Sequence, residues 1–146
     1  MVIICTVLGA AAPSLRGFFV SRQTNNVADR ILALTRLARS QAVSEGCTYR
    51  LEFETDGRVF FLSAAGPGGF QPIESSLGRR FTAPAEVSIT LSIDDGRAGT
   101  DYIDFFPDGR TQPATIRVQD IEGGVVEIVC RTPAELFAVR DTEDEP

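Results

Sequence analysis

Catalysis at neutral pH depends on a small set of side chains, and this sequence lacks two of them: it has no histidine and no lysine, all fourteen basic residues being arginine. Without histidine there is no usual general base, no His-supported nucleophile and not the commonest zinc ligand. Without lysine there is neither a Walker-type phosphate loop nor a Schiff base. The remaining groups have plainer readings. Gly66-Pro67-Gly68-Gly69 has the composition of a phosphate cradle, but Pro67 has no N–H and no helix start follows, so a plain surface loop is expected. Asp94, Asp95 and Asp101 are candidate calcium ligands whose spacing fits no EF-hand. Asp108 is expected to be a turn residue whose carboxylate bonds nearby backbone. No catalytic residue, metal ligand, cofactor or small-molecule substrate is expected.

Three cysteines remain. Cys5 lies in an apolar run and is read as a small hydrophobe. Cys47 and Cys130 have two readings, a disulfide if the chain folds in an oxidising compartment and a pair of buried thiols otherwise; spacing alone does not give their separation.

The element that must organise these groups is Val27 to Gly46, VADRILALTRLARSQAVSEG. Val27, Ile31, Leu34, Ala38 and Ala42 recur at steps of three and four and predict one apolar helix face, with Arg30, Arg36, Arg39 and Glu45 directed elsewhere. Ahead of it MVIICTVLGAAAP is apolar for about a dozen residues, short of the roughly 20 that span a bilayer. Residues 2–45 are therefore expected to form one long helix, bent near Pro13. The formal charge of −6 is uneven. Residues 14–45 hold five Arg against Asp29 and Glu45, hence +3, whereas residues 46–146 hold nine Arg against eighteen acids, hence −9. An acidic head argues against nucleic acid as a partner.

Beyond Gly46 the pattern turns to alternation. TYRLEFE, from Thr48 to Glu54, is a strand with Tyr49, Leu51 and Phe53 inward, and Asp56-Gly57 turns it into RVFFLSA. Short strands are expected at Phe70–Ile73 and Gly78–Thr82, a clear one at Val87–Ile93, and others at Tyr102–Phe106, around Ile116 and Val118, in VVEIVCR and in ELFAVR. The fold class expected is α+β, a long N-terminal helix on a head of two small antiparallel sheets. By residue number, 1–20 is the apolar part of the helix, 21–46 its amphipathic part on the head, 47–140 the head, and 141–146 an acidic flexible tail.

AAAPSLRGFF followed by a polar helix ending LTRLARSQAVSEG resembles the N-terminal half of type IV pilin-like proteins. RLARSQAV with the later FFPDGR resembles the GspH-type minor pseudopilins of type II secretion and their FimT-like pilus relatives. The resemblance covers Val2 to Gly46 and Tyr102 to Cys130, and Gly66 to Gly99 only as a pattern of strands. It implies the pilin-like fold and a non-enzymatic subunit of a secretion pseudopilus or pilus, with other pilin-like subunits as partners. It further implies an inner-membrane stage before assembly, a periplasmic head, and helix contacts through Val2, Ile3, Ile4, Val7, Leu8 and the small residues Gly9 to Ala12, with Pro13 at the bend. The alternative it implies is a DNA- or ligand-binding pilus subunit, against which the acidic head and tail argue. The family's basic leader and its G-F-T-L-x-E cleavage site lie outside this sequence, which opens about where the residue after the family's glutamate would stand; the inner-membrane and periplasmic location is expected where that signal is present in the full gene, and Met1 is then either a start placed too late, a trimmed end or a copy that has lost the signal.

Overall fold

The computed structural model describes the backbone of residues 2–93 and 100–140, with side chains from Arg22 onward apart from Leu77. Asp94, Asp95 and the acidic segment 141–146 lie outside the described residues, as do the side chains of Cys5, Gly9 to Ala12 and the expected helix contacts Val2, Ile3, Ile4, Val7, Leu8 and Pro13.

Helix α1 runs from Val2 to Glu45. Gly46 ends it in the left-handed region (φ 69°), its N–H still bonded to the Ala42 carbonyl at 2.9 Å, the glycine C-terminal stop that a side chain would strain. Nine strands follow: β1 (Tyr49–Phe53), β2 (Val59–Gly66), β3 (Gly69–Pro72), β4 (Phe81–Thr82), β5 (Val87–Ile93), β6 (Tyr102–Phe105), β7 (Ala114–Asp120), β8 (Val125–Cys130) and β9 (Ala138–Arg140). They form two antiparallel sheets, one ordered β3-β2-β1-β6 with β4 also on β2, the other β5-β7-β8-β9.

Strand period decides which side chains meet the helix. In β1, Tyr49, Leu51 and Phe53 are buried while Arg50 and Glu52 are not. Their register partners Leu62 and Phe60 on β2, and Ile103 and Phe105 on β6, complete the inner face of the first sheet. Val87, Ile89, Ile116, Val118 and Ile128 form that of the second, with Ser88, Thr90, Arg117 and Gln119 facing water. Val27, Ile31, Leu34, Ala38 and Ala42 belong to this same core, and Ile31, Ala38 and Ala42 are wholly inaccessible. Sealing one branched side chain such as Ile31 contributes roughly 1.5–3 kcal/mol.

The first sheet is covered on its other face too, which explains why VFFLSA does not alternate. Phe61 and Ser63 point away from the helix yet are buried. The Arg50 guanidinium lies 3.6 Å from the ring centres of both Phe70 and Tyr102 and pairs with Asp104 at 2.7 Å, while Arg80 lies over Phe61 at 4.4 Å and pairs with Glu54. Aromatic faces attract such cations, so long arginines serve as the lid.

Gly66 to Gly69 lies on the surface, as expected, as the tight turn of the β2–β3 hairpin, with Gly66 paired to Gly69. Two local expectations are corrected. Gly78–Thr82 is mostly not strand: Ser76–Gly78 is a single 3-10 turn and only Phe81–Thr82 pair, against Phe60 and Val59. In ELFAVR only Ala138–Arg140 pair, because the Glu135 N–H bonds back to the Thr132 carbonyl and Phe137 turns inward against Phe105 at 6.2 Å.

Candidate functional site

The described residues assemble no catalytic constellation; their defining surface is the seam between helix and head, closed by a polar contact at each end of the apolar stripe. At the end nearer the N-terminal half, Thr24 donates its hydroxyl to Oδ2 of Asp120 at 3.0 Å, across 96 residues of chain. Both are buried, at 2% and 7% exposure. The other carboxylate oxygen accepts the N–H groups of Glu122 (2.9 Å) and Gly124 (2.8 Å) in the β7–β8 turn. Gly124 is required there, since a Cβ would stand 2.4 Å from Oδ2. One carboxylate thus folds its own turn and holds the helix.

At the far end Arg39 donates Nε–H to the Gly109 carbonyl at 2.9 Å. Gly109 is the glycine of FFPDGR, so this phrase and RLARSQAV are in direct contact. The turn is closed by the Phe106 N–H on the Arg110 carbonyl and the Gly109 N–H on the Phe106 carbonyl. Gly109 has φ 89°, and a Cβ on it would reach 3.9 Å from Arg39 and Val43. Asp108 accepts from the Arg110 N–H at 3.0 Å and Nε at 2.6 Å. That backbone bond, with the guanidinium beside it, holds the carboxyl below its ordinary range. It is an exposed turn residue. Arg39, expected on the outward face, is half-buried in the seam because its long stem reaches past the last turn of the stripe.

Next to that end, Tyr49 donates its hydroxyl to Glu45 at 2.5 Å, joining the last turn of α1 to β1. Burial, reinforced by this carboxylate, pushes the phenol well above its ordinary pKa. Cys47 and Cys130 both carry thiols. Burial, with Glu45 nearby, raises the Cys47 thiol, and the Cys130 sulfur donates to the Thr132 carbonyl at 3.2 Å. Asp101 is exposed. Among the described residues no group of three or more His, Cys, Asp or Glu is placed to hold a metal ion. Beside the seam an open groove of about 510 Å³ runs between Gln23–Arg30 and Phe81–Pro84, with Arg30 over the Phe81 ring at 4.6 Å.

Reading the sequence missed Thr24, Asp120 and the role of Arg39. The signal for Asp120 was the pattern Asp-x-x-Gly-Gly, an acid before a glycine turn; nothing local announced Thr24 as its partner.

The order of elements, one helix laid on two antiparallel sheets, invites comparison with known proteins. Residues 27–132 match the family described as Type II transport protein GspH. The chain belongs to the GspH family. The match opens at Val27, the first apolar residue of the buried stripe, and closes just past β8, so it covers the seam apart from Thr24. The fold is also that of solved pilin-like proteins. The minor pseudopilin EpsH from the type 2 secretion system of Vibrio cholerae superimposes with a TM-score of 0.67 at 11% identity, over 82% of this chain and 92% of that one. The type IV minor pilin FimU of Pseudomonas aeruginosa superimposes with a TM-score of 0.63 at 15% identity, over 88% and 96%. No curated protein matches the chain in sequence. Among the described residues no helix is long and apolar enough to cross a membrane.

Proposed function

We propose that the chain is a non-enzymatic structural subunit of a type II secretion pseudopilus or a type IV pilus-like filament, assembling through its N-terminal helix. The observation that carries the reading is the mismatch between helix and seam. The helix has 44 residues, about 66 Å. Among the residues whose side chains are described, the stripe buried on the head runs from Thr24 to Ala42, about 27 Å. The remainder, with Val2, Ile3, Ile4, Val7 and Leu8 ahead of Pro13, has the composition of a surface for other helices, and the small residues Gly9 to Ala12 allow close approach. In this reading residues 1–20 rest in the inner membrane before assembly, residues 21–46 carry the head, and the head of residues 47–140 stands in the periplasm. Its partners are other pilin-like subunits, with no nucleic acid or small-molecule substrate.

The test is fractionation of cells that make both the chain and a pilin-like filament system. Recovery of the chain in the membrane fraction and in sheared filaments, and loss from both on Val7→Asp, is the expected result. A chain that stays with soluble proteins in the presence of assembled filaments overturns the proposal.

A further inference from the structure

The face of α1 that looks away from the head is as regular as the buried one. Asn26, Asp29, Ala33, Arg36, Ser40 and Val43 are all exposed and recur at steps of three and four, on the side away from Ile31, Ala38 and Ala42. That spacing is the seam one helix offers to another. It has little apolar bulk, and Ala33 and Ser40 leave room for a second helix to come close. Its two charges are opposite in sign. Asp29 and Arg36 stand seven residues apart, about 10.5 Å along the axis and too far to pair within one copy. Neither has a partner among the described residues. The neighbouring cations are otherwise engaged, Arg30 over the Phe81 ring and Arg39 on the Gly109 carbonyl.

We propose that this face receives the same face of a second copy of the chain, parallel and displaced by one heptad, so that Arg36 of one copy meets Asp29 of the next and Ser40 meets Ala33. The direction rests on the filament reading, in which the apolar halves of both helices enter one bundle; the displacement rests on the charges alone. A copy whose Arg36 is taken still offers Asp29 to a third. The contact is therefore heterologous and open-ended, the geometry of a growing filament and not of a closed dimer. Exposed charge pairs add little affinity, but they fix register and reject wrong neighbours. The apolar half then supplies the attraction, and this face sets the stagger between successive heads.

The test uses the whole chain in cells that assemble the filament, with two differently tagged copies carrying A33C and S40C and the parent chain as background for its own cysteines. A short thiol crosslinker is expected to join the two tags in sheared filaments. D29R or R36D alone should lower that adduct about five-fold, the upper worth of one exposed pair, and the two together in one chain should restore it. All four positions are exposed, so none of these changes touches the core. Two A33C copies joined to each other mark an antiparallel pair and overturn the stagger. A chain that enters filaments without an adduct between positions 33 and 40, or whose adduct ignores charge reversal, overturns this inference and leaves the filament reading standing. A chain absent from the filaments overturns both.

Discussion

Replacing Asp120 with alanine removes the acceptor of three hydrogen bonds at once. The Thr24 hydroxyl sits at 2% exposure, and losing a bond to a charged acceptor there costs about 1.5–3 kcal/mol. The N–H groups of Glu122 and Gly124 belong to exposed turn residues and regain water, so each adds only about 0.5 kcal/mol. The sum is about 3 kcal/mol, a large share of the 5–15 kcal/mol typical of a domain, and lowers the melting temperature by about 10 °C for a chain of this size. Asp120→Asn keeps an oxygen and loses the charge, for about half that cost. Urea unfolding of D120A, T24V and the double variant should give a coupling of about 1 kcal/mol between the two sites, with the dependence on urea unchanged. A D120A chain within about 0.5 kcal/mol of the parent, the range of ordinary surface substitutions, or additive single effects, would refute the claim that this carboxylate holds the helix to the head.

Ile31→Asp or Leu34→Asp places an unpaired charge in the closed stripe at several kcal/mol, so the head should lose its cooperative melt by circular dichroism; an unchanged melting temperature contradicts the packing. Gly109→Ala forces a side chain into positive φ and should cost about 1–2 kcal/mol in urea, loosening the Arg39 bond, whereas an alanine chain as stable as the parent means the turn is not held as described. Alkylation without reduction, read by mass spectrometry, should label Cys47 slowly and Cys130 only on unfolding. Failure to label either after unfolding indicates a bond closing about eighty residues, a crosslink the chain-entropy model values at roughly 4 kcal/mol.

The helix and its buried face were legible because a single apolar stripe at period 3.6 has few other solutions, and Val87–Ile93 was legible because one of its faces meets water. Where both faces are covered, as in VFFLSA, alternation disappears and composition alone suggests the strand. ELFAVR shows the converse: its apolar residues promise a strand, but Phe137 is drawn into the core beside Phe105 and the Thr132–Glu135 turn takes the residues before it. The polar contacts that close the seam join residues 96 and 70 apart. Local preference carries no record of such pairs, so Asp120 looked like any acid before a glycine turn and Arg39 like any surface arginine. In the sequence FFPDGR stands only as a phrase, and the fold brings it onto the helix.

The proposed packing of the helix beyond the seam among other pilin-like helices is tested by photo-crosslinking in cells from a benzophenone side chain placed at Leu8. The prediction is a ladder of adducts with pilin-like subunits, present when the filament assembles and absent when assembly is blocked. Adducts with unrelated soluble proteins, unchanged whether or not the filament assembles, would contradict it.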